Sequence, residues 1–130
     1  YKALLESFTY DFSLAFDRIE QLYPEYDIQD VKIIGGGAKS PVWTQMCADV
    51  QNKTYYTLDR EDVAMWGAAM LAGNAVGIFE DLKETARRYV NKRDRYTSNS
   101  AKGKEYGKYK QIYKEYTKDL HDVFEKHQRL

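Results

Sequence analysis

The feature that most constrains the fold is a short β-branched run that leads through three glycines into a helix start. Residues 31–34 (Val-Lys-Ile-Ile) favour a strand, because β-branched side chains suit a pleated, half-buried surface. Ser40 is a good helix N-cap, and Pro41 suits the first helical position, where an N–H would have no partner inside the helix. The sequence therefore predicts a strand, a tight turn at residues 35–37 and a helix. We call residues 35–37 the glycine turn.

The glycine turn is also where the sequence favours a ligand. Without Cβ atoms, a ligand can approach bare backbone N–H groups at the positive end of a helix. Two well-known motifs fail here. A P-loop needs glycines where Ile33 and Ala38 stand, and a dinucleotide fingerprint needs Gly or Ala where Ser40 stands. From the residues alone, a nucleotide contact and a tight turn without a ligand both remain open.

Hydrophobic periodicity predicts a helix-rich α/β fold with a short sheet. Apolar residues at steps of three and four indicate an amphipathic helix that ends near Pro24 and a further helix over residues 81–90. Residues 54–58 are rich in Thr and Tyr and predict a second strand. Residues 91–101 lose apolar periodicity, so we expect an irregular crossing segment there.

The most apolar stretch is residues 63–79. It falls short of the roughly 20 strongly apolar residues that a membrane span needs, and much of it is Ala and Gly. Because small residues allow close helix packing, we expect a buried core helix rather than a membrane segment. Asp59 is expected to cap this helix and Gly77 to end it.

A tyrosine-rich stripe marks the C-terminal region and predicts one long helix. Its members follow one another by three or four residues: Tyr106, Tyr109, Tyr113, Tyr116, Leu120, Val123 and His127. Gly103 and Gly107 weaken the start of this helix. We expect the stripe to pack back on its own domain, and a coiled-coil homodimer is the alternative.

Composition excludes several classes of partner. Lys and Arg number 20 and Asp and Glu number 20, so no global field attracts nucleic acid or a membrane surface, and a ligand must be bound locally. The single cysteine, Cys47, excludes an internal disulfide framework and suits the cytoplasm. The chain opens without an initiator Met or a signal-peptide pattern, so we expect a fragment of a cytoplasmic protein.

Other reactive residue types have simpler structural explanations. The acidic residues among residues 59–62 stand at a helix start, where they serve as caps. His121 and His127 lie six apart, on different faces of a helix, and form no metal pair. Cys47 shares an apolar stripe with Trp43 and is expected in the core. Acidic neighbours dilute four tail lysines, which we expect on a solvated helix face rather than on nucleic acid: Lys108, Lys110, Lys114 and Lys118.

Three segments, in order, resemble one protein family. Residues 1–7 (YKALLES), 31–50 (VKIIGGGAKSPVWTQMCADV) and 61–69 (EDVAMWGAA) are similar to the C-terminal lobe of the FGGY carbohydrate kinases, xylulokinases above all. The resemblance runs to about residue 90. Lys2 and Ser7 depart from the Arg and Gly usual in the family, but neither lies in the glycine turn.

The resemblance implies a partial actin-like, ribonuclease-H-like ATPase lobe with a long C-terminal helix. In this family two lobes close on ATP with Mg²⁺ and a sugar, and the Gly-Gly-Ala turn lies along the adenosine side of the nucleotide. Carried over, this implies adenosine contacts from Gly36, Gly37 and Ala38, with Lys39 and Ser40 close to the ribose or α-phosphate. The implied nucleotide-binding set is Gly35, Gly36, Gly37, Ala38, Lys39 and Ser40.

The resemblance also implies what lies outside the chain. The family's catalytic aspartate, phosphate-binding turn and sugar-binding residues precede the region covered here, so we expect no catalytic residue and no metal ligand in this chain. Because phosphoryl transfer needs nucleotide, metal and nucleophile positioned together, the chain alone is expected to be inactive. We expect residues 1–90 to be the C-terminal portion of the nucleotide-binding lobe, with residues 91–130 as a crossing segment and helix packed on it.

Three hypotheses of function follow. The first is a fragment of an ATP-dependent sugar kinase that phosphorylates a sugar hydroxyl, with xylulose as the substrate. The second is a non-catalytic, actin-like nucleotide-binding or scaffold domain, and the third is a helix-mediated interaction module that dimerises through the tail tyrosines. For the first hypothesis, Gly37→Val is expected to abolish nucleotide binding and to leave the fold largely intact.

Overall fold

The computed structural model describes residues 1–128, so the last two residues of the predicted segment 91–130 lie outside it. Six α-helices, one 3₁₀ turn and three strands make up the described part. In chain order they are α1 (Lys2–Leu22), β1 (Asp30–Lys32), the 3₁₀ turn (Gly36–Lys39), α2 (Pro41–Gln51), β2 (Thr54–Leu58), α3 (Val63–Ala75), α4 (Leu82–Tyr89), β3 (Lys92–Tyr96), α5 (Ser100–Asp119) and α6 (His121–Gln128). The predicted helix-rich α/β class with a short sheet is confirmed.

The sheet has the strand order β1-β2-β3. β1 and β2 run parallel, with Val31 opposite Tyr55, and β2 occupies the five predicted residues. β2 and β3 run antiparallel, with Tyr55 opposite Tyr96. Because β1 and β2 are parallel, their carboxyl ends meet at one edge of the sheet, and the glycine turn follows β1 at that edge.

β3 corrects the prediction of an irregular segment at residues 91–101. Its sequence, Lys-Arg-Asp-Arg-Tyr, has no apolar alternation, and only Tyr96 packs against the core. Backbone pairing with β2 orders the strand, and Thr57 Oγ1 donates to Asp94 Oδ2 at 2.7 Å. The strand therefore depends on its partner, which the periodicity of the segment itself does not report.

The core lies on both faces of α2. One cluster consists of Tyr10, Met46 and Val50, and the other consists of Cys47, Ala48 and Tyr55. Trp43 packs against both clusters. The prediction that Cys47 is a core residue is confirmed, since it is 2% exposed.

α1 is the predicted first helix, but most of its apolar stripe is exposed, and Leu5 is the stripe residue that packs on the core cluster containing Met46 and Val50. Phe8 and Phe12 are 47% and 51% exposed, whereas Thr9 and Ser13 are buried. Thr9 is satisfied inside the core, because its hydroxyl accepts from Trp43 Nε1 at 2.9 Å and donates to the Leu5 carbonyl at 2.7 Å. The side of α1 that contacts the core is thus set by polar partners as well as by apolar area.

α3 is helical as predicted, but the prediction that it is buried is wrong. Gly73 is the only buried residue of α3, and Met65 and Leu71 are 67% and 61% exposed. The helix packs chiefly on α4, which covers one side of it. Within residues 1–128, no helix is both long and apolar enough to cross a bilayer.

The helix ends around α3 follow the predictions only in part. Gly77 adopts a φ of 76° just beyond the helix, as expected of a glycine that ends it. The N-cap residue is Asp62 rather than Asp59, and the Asp62 side chain makes no capping bond. Asp81 caps α4, accepting from Lys83 N at 2.7 Å, so the predicted helix at residues 81–90 is confirmed.

The tail forms two helices where the sequence predicts one. α5 ends at Asp119, and Leu120, with a ψ of −10°, separates it from α6. α5 lies on α1 and α2: the Tyr113 hydroxyl donates to Asp11 at 3.0 Å, and the Tyr113 ring centroid is 5.5 Å from that of Tyr10. No Gly or Pro stands at the break, so the sequence carries no signal for it.

Candidate functional site

The glycine turn is the tight turn between strand and helix that the sequence predicts. Gly35 adopts a φ of 79° and a ψ of −161°, a conformation that residues with a Cβ rarely adopt. The chain then closes a single 3₁₀ turn, in which Ala38 N donates to Gly35 O at 3.2 Å and Ser40 N donates to Gly37 O at 3.1 Å. The turn thus carries the chain from β1 into α2 at the carboxyl edge of the sheet.

The three glycines face different surroundings. A Cβ built on Gly35 or Gly36 would meet nothing within 4 Å, so these two residues border open space. A Cβ on Gly37 would lie 2.8 Å from the Trp43 ring. Gly37→Val would therefore disturb the packing of Trp43, which corrects the expectation that this change leaves the fold largely intact. Gly36 is the position that tests the open face of the turn.

Lys39 and Ser40 both have partners within the chain. Ser40 Oγ accepts from Trp43 N at 3.3 Å and caps α2, as predicted. Lys39 Nζ lies 2.7 Å from Glu61 Oε2 in an exposed ion pair. This contact raises the pKa of Lys39 and lowers the pKa of Glu61.

A shallow cleft of about 30 Å³ joins the glycine turn to residues that are distant in sequence. Its lining residues come from the end of β1, the 3₁₀ turn, the end of β2 and β3: Ile33, Ile34, Gly35, Ala38, Lys39, Thr57, Leu58, Arg60, Glu61 and Arg93. Of the six predicted residues, the cleft brings together Gly35, Ala38 and Lys39. Gly36 and Gly37 belong to the glycine turn and Ser40 is the N-cap of α2, but none of the three lines the cleft.

Sequence reasoning missed Arg60 and Arg93. The Arg60 guanidinium lies 4.0 Å from the Trp66 ring centroid, and its Nε donates to Tyr89 O at 2.8 Å. Arg93 Nε lies 2.9 Å from Asp94 Oδ2. Arg60 lies among residues assigned to helix capping, and Arg93 lies in the segment predicted to be irregular. The available signal was Arg60, a cation that closely follows the predicted strand at residues 54–58, whereas no pattern around Arg93 marked it.

Asp59 clamps the β2 end of the cleft to the start of β3. Asp59 Oδ1 and Oδ2 accept from Asn91 N at 3.2 Å and Asn91 Nδ2 at 3.1 Å, and Asp59 N donates to Asn91 O at 3.0 Å. The Asn91 side-chain bond is the main reason that the pKa of Asp59 lies below its ordinary value. Asp59 is thus a structural clamp rather than an acid-base group.

The other candidate residues have no place in this cleft. Burial raises the pKa of the Cys47 thiol, as expected for a core cysteine. His121 is exposed and lies 3.8 Å from Glu125, while Lys110 pairs with Asp17 at 2.7 Å. Among residues 1–128, no group of three or more His, Cys, Asp or Glu could hold a metal ion.

A larger cavity of about 480 Å³ lies elsewhere, between α1 and α5, and is lined by Lys2, Glu6, Lys102, Glu105, Tyr106 and Tyr109. Its charged lining is partly paired, since Lys2 Nζ lies 3.2 Å from Glu6 Oε1. We favour the smaller cleft as the functional site, because it combines a positive-φ glycine, an open backbone face and the carboxyl ends of two parallel strands.

Known proteins resemble this chain in sequence. The model for the C-terminal domain of the FGGY family of carbohydrate kinases matches residues 1–76. Xylulose kinase from Bacillus subtilis is 32% identical over 123 residues, which cover 92% of this chain and 24% of that protein. Xylulose kinase from Haemophilus influenzae is 37% identical over 86 residues, which cover 65% of this chain and 17% of that protein. The chain spans about a quarter or less of the length of these curated relatives.

Solved structures agree in fold. Ligand-bound xylulose kinase from Lactobacillus acidophilus matches with a TM-score of 0.80 at 23% identity, over 96% of this chain and 25% of that one. Gluconate kinase from the same organism matches with a TM-score of 0.76 at 24% identity, over 91% of this chain and 23% of that one. The expected partial actin-like, ribonuclease-H-like lobe is confirmed. With its family model matching more than half of its residues, the chain belongs to the FGGY family of carbohydrate kinases, of which it carries the C-terminal domain.

Proposed function

We propose that this chain supplies the adenosine-binding turn of a cytoplasmic, ATP-dependent sugar kinase. In this proposal residues 1–90 are the C-terminal portion of the nucleotide-binding lobe, and the following residues pack on it. The observation that carries the proposal is the open backbone face of Gly35 and Gly36, where an added Cβ would meet nothing within 4 Å. This face stands at the carboxyl edge of the sheet, where open α/β sheets bind their ligands.

The residues of the turn fit a nucleotide in different ways. Gly36, Gly37 and Ala38 would lie along the adenosine, with the missing side chain at Gly36 leaving the backbone accessible there. Lys39 and Ser40 would lie near the ribose or α-phosphate. Lys39 and Glu61 are both about two-thirds exposed, at 66% and 64%, so solvent screens their ion pair and a phosphate can replace Glu61 at little cost.

Mg²⁺ in phosphoryl transfer is commonly held by one or two carboxylates together with the nucleotide phosphates. In this proposal the metal of ATP-Mg²⁺, the catalytic aspartate and the sugar pocket are held mainly by residues outside this chain. The chain's own contribution is to bind and orient the nucleotide. Since positioning and charge stabilisation supply most of the catalysis in phosphoryl transfer, this chain alone would bind ATP or ADP weakly and turn over no sugar.

Xylulose is the proposed sugar. Its support is that the relatives from Bacillus subtilis and Haemophilus influenzae are xylulose kinases, over 123 and 86 matched residues. An autoinducer-2 kinase from Yersinia pestis also matches, at 34% identity over 70 residues, so the matched region is shared among kinases of different substrates. The substrate proposal is tested by measuring ADP release by the longer protein with xylulose and with gluconate. Activity with gluconate alone would overturn it.

Calorimetric titration of the chain with ADP tests the proposed turn. Gly36→Val fills the open face without meeting a neighbouring side chain, so we expect ADP affinity to fall at least tenfold while the circular dichroism spectrum stays unchanged. Gly107→Val, which places the same side chain in open space on α5, is the control and should bind as the wild type does. Equal ADP affinity in Gly36→Val and the wild type would contradict the proposal.

One observation favours a second function, homodimerisation through α5. An apolar groove of about 290 Å³ runs between α1 and α5 and is lined by Ala3, Glu6, Ser7, Tyr10, Tyr109, Ile112, Tyr113 and Tyr116. Ile112 is 62% exposed in it. Tyr113 is bonded to Asp11, so Ile112→Lys is a cleaner test than a change of Tyr113. Sedimentation equilibrium should show a dimer that Ile112→Lys dissociates, and a wild-type chain that stays monomeric at millimolar concentration would exclude this function.

A further inference from the structure

Arg60 lies at the lip of the cleft beside the glycine turn and is held there by aromatic neighbours. Its guanidinium lies 4.0 Å from the Trp66 ring centroid, and its Nε donates to Tyr89 O at 2.8 Å. Trp66 in turn stacks on the Tyr89 ring, with centroids 6.0 Å apart and an interplanar angle of 15°. An arginine stacked on a ring and bonded to a carbonyl has little rotational freedom left to lose when it binds a ligand.

Within residues 1–128 no carboxylate forms an ion pair with Arg60; its charge helps to lower the pKa of Asp59, but the Asp59 carboxylate is bonded to Asn91. Three cations line the cleft, and two of them are paired: Lys39 with Glu61 at 2.7 Å and Arg93 with Asp94 at 2.9 Å. Among the described residues, Arg60 makes no salt bridge, and its hydrogen bond to Tyr89 uses only Nε. Its two terminal NH₂ groups therefore have no acceptor within residues 1–128.

We propose that Arg60 binds a phosphate group of the nucleotide, a role that extends the proposed adenosine contact of the glycine turn and rests on it. The two NH₂ groups present parallel donors that match two phosphate oxygens, as paired arginine forks commonly do. The cleft itself holds about 30 Å³, which is room for one water-sized group, so the phosphate lies across its mouth while the turn meets the adenosine.

Trp66 and Tyr89 serve as positioning residues in this arrangement. Trp66 lies in α3 and Tyr89 ends α4, so residues from two helices hold one cation in place. Arg88 lies 5.5 Å from the same Tyr89 ring but lines a different cavity, next to Glu80 and Glu84. Arg88 thus offers a matched control: the same charge on the same aromatic group, away from the glycine turn.

The test is calorimetric titration of the full 130-residue chain with ADP and, separately, with adenosine. Arg60→Gln should lower ADP affinity about tenfold or more, because a hydrogen-bonded charge contact is lost, and should change adenosine affinity less than twofold. Arg88→Gln should change neither. Higher salt should weaken ADP binding by the wild type more than by Arg60→Gln, since the lost contact is ionic. Trp66→Leu should weaken ADP binding less than Arg60→Gln does.

Two results would overturn the phosphate role while leaving the glycine turn intact: unchanged ADP affinity in Arg60→Gln, or an equal loss of ADP and adenosine affinity. Absence of binding of both ligands by the wild type would contradict the proposed function together with this inference. If Arg60→Gln alters the circular dichroism spectrum, Arg60→Lys is used instead to test the phosphate role. Lysine keeps the positive charge but lacks the two parallel NH₂ donors, so the ratio of ADP to adenosine affinity should fall. An unchanged ratio would contradict the proposal.

Discussion

α2 and α3 follow one another in the chain, joined through β2, yet they differ sharply in burial. α2 contains Asp49 and several polar residues, and six of its residues are buried: Thr44, Met46, Cys47, Ala48, Asp49 and Val50. α3 has no charged residue, and only Gly73 is buried. The difference teaches that apolar composition does not bury a helix; neighbouring elements do. α2 lies among α1, α5 and the sheet, whereas α3 packs chiefly on α4.

The polar residues of α2 are buried because the fold satisfies them. Asp49 is 2% exposed, and its Oδ1 accepts from Gln45 Nε2 and from Asn99 N, each at 2.8 Å. Thr44 Oγ1 donates to Ser40 O at 3.0 Å. Each of these hydrogen bonds replaces a bond to water that the polar group loses when it is buried. Polar residues of α2 can therefore lie in the core beside apolar ones.

The largest predicted effect is on the free energy of unfolding, and it compares a methionine of the buried helix α2 with one of the exposed helix α3. Met46 is 5% exposed in α2 and Met65 is 67% exposed in α3. Met46→Ala should lower the free energy of unfolding by about 2–5 kcal/mol, because it leaves a cavity in the core. Met65→Ala should change it by less than about 0.5 kcal/mol, because the side chain is already in water. Urea unfolding checks both, and equal losses would break the contrast between the helices.

Two glycines of α5 test how closely this helix packs on α2. A Cβ on Gly103 would lie 2.9 Å from the backbone oxygen of Asp49, so Gly103→Ala should push α5 away from α2 and cost about 1–3 kcal/mol. A Cβ on Gly107 would meet nothing within 4 Å, so Gly107→Ala should raise stability by about 0.5–1 kcal/mol through helix propensity. Thermal unfolding of the two variants should shift in opposite directions. A shift in the same direction would show that Gly103 is not a contact point.

The smallest predicted effect is on the pH dependence of stability. It concerns the hydrogen bond between Thr57 of β2, the strand that joins the two helices, and Asp94 of β3. Donation from Thr57, and secondarily from Arg93, lowers the pKa of Asp94 below its ordinary value of 3.8. A carboxyl with a lowered folded-state pKa stabilises the fold above its unfolded pKa, and this contribution is lost as the pH falls through the folded pKa. The urea midpoint should therefore decline below about pH 4, and decline less in Asp94→Ala. A pH slope in Asp94→Ala equal to that of the wild type would contradict the assignment.

The sequence was sufficient where short-range chemistry decides the structure. The Ser40 cap, the positive φ of Gly77 and the strand at residues 54–58 all follow from local residue types, and the structure contains each of them. The glycine turn was predicted on the same grounds, and Gly35 indeed needs a conformation that favours glycine.

The features that the sequence did not predict depend on contacts between residues that are distant in the chain. The order of β3 depends on β2, and the exposure of α3 depends on which elements surround it. The direction that Gly37 faces depends on the Trp43 ring, and Trp43 in turn is fixed by Thr9, which lies 34 residues earlier. Arg60 is held at the cleft by Trp66 and Tyr89, which lie on two different helices. The residue pattern within a single segment does not reveal such tertiary contacts.

Nuclear magnetic resonance of the ¹⁵N-labelled chain during an ADP titration tests the central claim most directly, since it reports each backbone amide separately. We predict that the largest shift changes fall on residues 35–40, which are the glycine turn and the three residues after it, and on residues 57–61 at the facing side of the cleft. Amides of α5 should move little. Changes concentrated on α5, or no change at millimolar ADP, would contradict the claim that the glycine turn is a nucleotide contact.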